Sequence, residues 1–171
     1  DCPHSVKAVA FVKQLASRRS GIQLHFYDVL KDRPALERLY ELSRKHQEKN
    51  PGVPSIIVAG RFLVGWDRDE TSGRAVEDSL LIEVFTRAGC DHCRRAKEYL
   101  ARLRPRYPAF EVRIYDIFAN AAARQRFEHL AGVHGLGSPG LPAFHLCKQL
   151  VVGFLSEETT GRRLEALLTS T

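Results

Sequence analysis

Two of the four cysteines in the chain stand three positions apart, in the segment "FTRAGCDHCRRAKEYL". An apolar run ends just before them and a basic, helix-like stretch begins, so Cys90 should lie at a helix N-terminus. Free backbone N–H groups and the helix dipole favour an anion there, here the thiolate of Cys90. Cys93 lies one turn deeper, where it can close a disulfide with Cys90 and so exchange two electrons. The spacing predicts Cys90 as the exposed nucleophile and Cys93 as the resolving thiol.

Charged neighbours should tune this pair. The cationic groups close by in sequence are expected to favour the thiolate, whereas Asp91 should oppose it; they are Arg87, His92, Arg94 and Arg95. A structural zinc half-site is the alternative use of a cysteine pair. Zinc needs two further ligands; His92 lies between the cysteines, and the remaining cysteines are Cys2 and Cys147. A chance pair is the other alternative, but the strand-to-helix junction and the proline loop that follows favour a redox pair. We therefore expect redox chemistry and no metal.

The chain aligns with itself without a gap over about eighty residues when it is shifted by 88 positions. The matched pairs include Cys2 with Cys90, His4 with His92, Ser5 with Cys93, Pro54 with Pro142, and Gly65 with Gly153. A match of this length predicts a tandem duplication. We call residues 1–80 unit one and residues 81–171 unit two. Unit one carries a C-x-x-S in place of the C-x-x-C.

The sequence pattern of unit two predicts the element order β-α-β-α-β-β-α. The run "LLIEVFT" is β-branched and aromatic enough for a buried strand, and "FEVRIYDI" alternates as a strand does. Asn120 is suited to cap a helix, and Thr159 or Thr160 is expected to open the last one. Cys147 is expected on the inner strand "AFHLC", as a buried, inert thiol.

Unit one repeats this order from its first helix onward. We expect a helix over about 5–18, the strand "IQLHFYDV", a helix over 34–46, the hairpin "SIIVAGRFLVG" and a helix over about 71–81. The counterpart of "LLIEVFT" would lie before residue 1, so unit one lacks its opening strand in this numbering. We expect that strand to have been trimmed, because its loss leaves both neighbouring strands unpaired. The alternative is that unit one is stabilised in some other way.

The cysteine motif after a strand, with Leu141-Pro142 before a hairpin, resembles the thioredoxin and glutaredoxin superfamily, and the resemblance covers the chain twice. It implies an α/β fold of two tandem thioredoxin-like units. It also implies a cis-proline loop beside the nucleophile that holds an extended peptide or glutathione by its backbone. The residues so implied are Leu141 and Pro142 in unit two, and Val53 and Pro54 in unit one.

Other residues resemble particular branches of this superfamily. His92 is similar to the histidine of the "C-P-H-C" motif in periplasmic disulfide oxidases, where it stabilises the reduced form. Arg87 resembles a basic residue of glutaredoxins, and Gly65-Trp66-Asp67 resembles their glutathione clamp, which Gly153-Phe154-Leu155 lacks. Val84 stands where thioredoxins carry a buried carboxylate, and Gly89 where they carry a tryptophan.

Composition and charge narrow the possible domain organisation and binding partners of the protein. With 171 residues, 44% apolar and 27% charged, the chain suits one large or two small domains. Its net charge of +6 is spread over many segments, so a solvated basic surface is expected rather than a nucleic-acid site. The "C-P-H" similarity favours an extracytoplasmic, oxidising compartment, towards which we lean, whereas the glutaredoxin-like residues favour the cytoplasm. A membrane anchor outside this sequence is compatible with the former.

The sequence thus predicts a thiol–disulfide oxidoreductase that acts on protein substrates through Cys90 and Cys93, without a bound cofactor and with a redox partner protein. A second, monothiol or degenerate, site would comprise Cys2, Ser5, Val53 and Pro54. Two alternatives stay open. One is glutathione-dependent reduction, with glutathione as co-substrate; the other is a non-catalytic module that binds a peptide or partner.

Overall fold

A computed structural model describes residues 2–169 of the chain. Its internal contacts separate two compact units, with the boundary between Asp78 and Ser79. Among the described residues no helix is both long enough and apolar enough to span a bilayer. Each unit is described on its own below.

Unit one is built around its first helix. Helix α1 (Pro3–Arg18) begins at a proline, whose fixed φ suits the first helical position. It buries Ala8, Phe11 and Leu15, which lie on one face, and the Phe11 ring packs 5.2 Å from that of Trp66. Helix α2 spans Arg33–Lys45.

The rest of unit one is a hairpin and a short helix. Strands β1 (Ser55–Val58) and β2 (Arg61–Val64) pair antiparallel, and both turn residues, Ala59 and Gly60, have positive φ. A π-helical turn (Asp69–Gly73) then leads into helix α3 (Arg74–Ser79). Helix α3 therefore ends before Leu81, earlier than the sequence predicted.

The predicted strand over "IQLHFYDV" does not form. Residues 22–28 are neither helix nor strand. A strand exists only through hydrogen bonds to a neighbour, and the described part of unit one offers none beside this segment. Of the predicted order, unit one thus keeps its helices and its hairpin but lacks both the opening strand and the strand that should pair with it.

Unit two contains a complete four-stranded sheet. In chain order its elements are β3 (Leu81–Thr86), α4 (Asp91–Leu103), β4 (Glu111–Asp116), α5 (Ala121–Val133), β5 (Ala143–Leu146), β6 (Gln149–Val152) and α6 (Arg162–Thr169). The strand order is β4-β3-β5-β6, with β3 parallel to β4 and antiparallel to β5. This is the predicted β-α-β-α-β-β-α order.

Side chains alternate along β3, so successive residues point to opposite faces of the sheet. Helices cover both of these faces. Ile82 and Val84 join a buried cluster with Leu100 of α4 and Leu164 of α6. Phe85 points the other way and stacks on Phe127 of α5, with ring centroids 5.1 Å apart. The central strand is therefore buried on both sides.

Two local predictions in unit two were wrong. Cys147 lies in the β5–β6 turn with φ of +48°, because β5 ends at Leu146. The last helical segment starts with a π-helical turn (Glu157–Gly161), and Ser156 caps it by accepting a hydrogen bond from the Thr159 N–H. Thr159 and Thr160 therefore lie inside the first turn rather than before it.

Candidate redox site

The cysteine pair lies where β3 gives way to α4. Four residues, Arg87 to Cys90, connect the two elements, and Cys90 is the N-cap residue of α4. Its sulfur accepts a hydrogen bond from the backbone N–H of Cys93, at 3.2 Å. Cys90 and Cys93 are joined by a disulfide, with their Cα atoms 5.2 Å apart. The Cys93 N–H of the first helical turn thus points at the sulfur that would carry negative charge after reduction.

The two sulfurs differ in accessibility. Cys93 is 1% exposed, whereas Cys90 is partly exposed at the helix tip. Exchange requires access of an attacking sulfur to the one that is attacked. The geometry therefore suits the predicted division, in which Cys90 meets the substrate and Cys93 acts from within.

Leu141 and Pro142 lie at the same edge of the sheet as the cysteines. Ala143, the first residue of β5, pairs with Phe85, which places Pro142 beside Thr86 at the carboxyl end of β3. The Leu141–Pro142 peptide is cis, and the Pro142 carbonyl accepts a hydrogen bond from Gly153 N–H at 2.7 Å. Pro142 is buried, and Leu141 packs partly buried against the Phe85 cluster.

His92 is held by the segment that follows the hairpin. Its Nδ1 lies 3.0 Å from the Phe154 carbonyl oxygen and 2.8 Å from the Arg95 guanidinium. Since a carbonyl only accepts and a guanidinium only donates, a single Nδ1 can satisfy one of these contacts at a time. The His4 Nδ1 makes the corresponding contact with the Trp66 carbonyl in unit one. The contact therefore recurs in a unit that has Ser5 in place of the second cysteine, so it does not require a cysteine pair.

The charged groups around the pair are largely exposed. Arg94 contacts the carboxylates of Asp91 at 3.7 Å and of Glu98 at 3.0 Å, so the charge of Asp91 is partly compensated. Arg87 is exposed on the connection between β3 and α4. Cations next to the helix tip favour the thiolate over the thiol.

Asp116 fixes the turn that carries the nucleophile. It ends β4, and its carboxylate accepts hydrogen bonds from the N–H groups of Ala88, Phe118 and Ala119. These bonds, that of Phe118 foremost, lower the pKa of Asp116 below its ordinary value. Asp116 was not among the site residues predicted from the sequence. Its signal was an acidic residue at the carboxyl end of a strand parallel to β3.

A buried carboxylate was also missed. Glu83 is 6% exposed and accepts hydrogen bonds from Arg126 of α5 and His145 of β5, each within 3.2 Å. Burial alone would raise the pKa of Glu83, but these two partners lower it to about 2. Glu83 lies on the α5 face of β3, away from α4, so it does not stand beneath the disulfide. The sequence feature that could have revealed Glu83 was a single charged residue inside the apolar run "LLIEVFT".

The second predicted site is assembled only in part. Cys2 is the N-cap residue of α1, and its sulfur makes no well-formed capping hydrogen bond. The backbone N–H groups of Ser5 and His4 nevertheless lower the pKa of the Cys2 thiol. The Val53–Pro54 peptide is cis, and the Pro54 carbonyl accepts from Gly65 N–H at 2.8 Å. Ser5 supplies no sulfur to close a bridge.

Cys147 takes no part in either arrangement. Its partly buried thiol donates a hydrogen bond to the Leu167 carbonyl at 3.5 Å. Within residues 2–169, no three side chains of histidine, cysteine, aspartate or glutamate converge as metal ligands would.

A β-α-β unit followed by a β-hairpin and a helix, with C-x-x-C at the first helix N-terminus, defines a thioredoxin-like fold. The glutaredoxin family matches over residues 82–144, which run from β3 through both cysteines to Phe144. Unit two is thus a member of the thioredoxin and glutaredoxin superfamily, whose general chemistry is thiol–disulfide exchange. No curated protein matches the chain.

Proposed function

We propose that the chain is a thiol–disulfide oxidoreductase that exchanges disulfides with protein substrates through Cys90 and Cys93. The observation that carries the proposal is the pairing of a partly exposed sulfur at the α4 N-terminus with a buried one in the next turn. Leu141 and Pro142 lie just before β5 at the same sheet edge as the cysteines, and this position supports an extended peptide as substrate, bound by strand-like pairing.

In the reducing direction, the Cys90 thiolate attacks one sulfur of a substrate disulfide. A Cys90–substrate disulfide forms, the substrate S–S bond breaks, and the departing substrate thiolate takes a proton from water. The Cys93 thiolate then attacks the Cys90 sulfur and releases the second substrate thiol. Two electrons pass from the cysteine pair to the substrate, and the pair ends as the disulfide. The reverse sequence oxidises substrate thiols.

Glutathione-dependent reduction is the second candidate. The match to the glutaredoxin family and the exposed Arg87 beside the site favour it. Against it, Leu155 is exposed where unit one carries Asp67, so unit two offers less charge to a small zwitterionic substrate.

We infer that unit one is a copy of unit two that binds a peptide or partner and does not catalyse repeated disulfide exchange. Support comes from the contacts that recur at the 88-residue spacing, such as His4 to Trp66 and His92 to Phe154. Ser5, in place of a resolving thiol, restricts Cys2 to mixed disulfides.

The test uses the full chain with Cys2 and Cys147 replaced by serine. In that background, Cys93→Ser should accumulate a dithiothreitol-sensitive adduct with a disulfide-containing peptide, and the adduct should map to Cys90 by mass spectrometry. Cys90→Ser is the matched control and should form none.

Two outcomes would decide between the candidates. Equal activity of the Cys90→Ser variant and its parent would refute the redox assignment. A kcat/KM for glutathione disulfide more than about tenfold above that for the peptide would replace the protein substrate by glutathione.

A further inference from the structure

Two large apolar side chains of unit two are largely exposed to solvent near the cysteine pair. Phe118 is 72% exposed and Leu155 is 71% exposed. Single exposed apolar residues are common on protein surfaces, so exposure alone does not mark a site. The position of these two residues relative to Cys90 does, and we call them the two apolar flanks.

Both flanks lie at the edge of the sheet that carries Cys90. The strand order is β4-β3-β5-β6, and the pairings make β4 and β6 run in the same direction as β3. Phe118 follows the end of β4, Cys90 follows the end of β3, and Leu155 follows the end of β6. Cys90 therefore has one exposed apolar residue on each side along this edge.

Hydrogen bonds hold both flanks next to the start of α4. On the β4 side, the Asp116 carboxylate accepts from the N–H of Phe118 and from that of Ala88, each at 2.9 Å. Ala88 belongs to the short connection that leads into α4. On the β6 side, the Leu155 carbonyl accepts from the Arg95 guanidinium of α4 at 3.4 Å. The backbone of each flank is thus fixed beside the first turns of the helix that carries the cysteines.

Comparison with unit one separates the backbone of a flank from its side chain. Asp67 stands at the position that matches Leu155. Its N–H donates to Ser72 Oγ at 3.0 Å, as the N–H of Leu155 donates to Thr160 Oγ1 at 3.2 Å. The flank that follows β4 matches Leu30, which is 89% exposed and also donates its N–H to the aspartate two residues earlier. One flank is therefore apolar in both units, whereas the other is apolar only in the unit that has the cysteine pair.

We propose that Phe118 and Leu155 select substrates whose reactive cysteine has apolar residues on both sides. This selection depends on the proposed disulfide exchange at Cys90, and it specifies the substrate as an extended polypeptide segment that is apolar around its cysteine. The flanks are continuous with the site of exchange, so one bound segment contacts both. Burial of its apolar side chains against the flanks provides the preference.

The dimensions of the edge agree with a short segment. Neighbouring strands lie about 4.8 Å apart, and an extended chain advances about 3.3 Å per residue. The β4 flank is one strand away from β3 and the β6 flank is two strands away. A segment that crosses the edge therefore reaches both flanks within two or three residues of its cysteine.

The test compares two peptide disulfides that differ only around their cysteine. One has leucine at the two positions before and the two positions after the cysteine, the other has serine at all four, and their polar ends are identical. The full chain with Cys2→Ser and Cys147→Ser is reduced, and the rate constant of single-turnover exchange is measured by quenched flow and chromatography. Each value is divided by the rate constant of the same peptide with dithiothreitol, which has no flanks. We expect the leucine peptide to react at least about tenfold faster than the serine peptide.

Substitution of the flanks should remove this preference. Phe118→Ser and Leu155→Ser should each reduce it about threefold, and the double variant should bring the ratio of the two rate constants close to unity. Val133→Ser is the matched control, because Val133 is 67% exposed but lies at the C-terminal end of α5. That end is about 18 Å along the helix axis from residue 121, where α5 begins next to the site. The control should keep the ratio of its parent.

The ratio distinguishes selection from a general loss of structure, which would slow both peptides alike. Equal normalised rates for the two peptides in the parent chain would overturn the proposed selection and leave the exchange at Cys90 intact. A preference that survives in the double variant would do the same. Absence of exchange with either peptide would refute both the selection and the proposed function.

Discussion

The two units share most of their parts, yet in the described residues 2–169 unit two has a four-stranded sheet and unit one a two-stranded one. Each has a helix that begins at a cysteine N-cap, an X-Pro peptide in the cis form, a β-hairpin and a π-helical turn before the last helix. Around the hairpin the burial differs. Pro142 and Phe144 are fully buried, whereas Pro54 and Ile56 are only partly covered. The comparison teaches that the better-buried hairpin is the one whose first strand, β5, pairs with a further strand, β3, whereas within residues 2–169 β1 pairs with β2 alone.

The contact between the first helix and the last segment persists in both units. A Cβ at Gly73 would lie 2.6 Å from the Phe11 ring, and one at Gly161 would lie 2.9 Å from the Tyr99 ring. A Cβ at either position would therefore force the facing ring to shift. The same helix-to-segment packing therefore recurs in both units at the 88-residue spacing.

The largest expected difference between the two units is in disulfide-exchange activity, and exchanging their redox residues tests it. In a chain that carries Cys147→Ser, Cys90→Ser should lower peptide-disulfide exchange by roughly a thousandfold or more, since the nucleophile is lost. Adding Ser5→Cys should restore part of that activity, because Cys2 and position 5 match Cys90 and Cys93 in spacing and in their place at a helix start. Initial rates with a fluorescent disulfide peptide give the measurement. A double variant no better than Cys90→Ser would show that unit one cannot support turnover.

The burial difference predicts unequal core substitutions. Phe144→Ala should destabilise unit two by about 3–5 kcal/mol, as expected for a fully buried aromatic side chain. Ile56→Ala, at the matching position, should cost unit one only about 1 kcal/mol, because its side chain is partly solvated already. Urea unfolding followed by hydrogen exchange in each unit separates the two. Equal losses would contradict the difference in packing.

Acid should act selectively on unit two, because only this unit contains the Glu83 cluster. The pKa of Glu83 is about 2 in the folded chain against an ordinary value of 4.5. A lowered pKa stabilises the fold fully above pH 4.5, and this contribution is lost as the pH falls towards 2. Allowing for screening through the half-exposed Arg126, the contribution is roughly 2 kcal/mol.

Glu83→Gln should therefore weaken unit two at pH 6 and remove the part of its stability change between pH 4.5 and 2 that Glu83 contributes, while Asp116, whose pKa is also lowered, still contributes. Urea midpoints at pH 6, 4 and 2.5 provide the measurement. Glu98→Gln is the control, because Glu98 makes only a surface ion pair with Arg94. If the two variants show the same pH dependence, the cluster does not contribute as the geometry indicates.

Features that depend only on residues adjacent in sequence were predicted correctly from the sequence. The C-x-x-C at a helix start, the Asn120 cap and the strand "LLIEVFT" were predicted from local pattern and are present. The strand over "IQLHFYDV" has the same alternation but did not form, because pairing depends on a partner that pattern does not supply. Glu83 was missed for a related reason. The Glu83 carboxylate can be buried in this strand because Arg126 and His145 bind it, and only the fold brings these residues together.

The smallest predicted difference concerns two helix starts that match at the 88-residue spacing. Asn120 Oδ1 accepts a hydrogen bond from the Ala123 N–H at 3.0 Å, whereas Asp32, the N-cap of α2, makes no such bond. Asn120→Ala should therefore destabilise unit two by about 1 kcal/mol. Asp32→Ala should change unit one by much less, because no capping bond is lost. Thermal unfolding at neutral pH measures both. A loss at Asp32 as large as that at Asn120 would mean that α2 is capped in solution, and that the two units differ less at their helix starts than in their sheets.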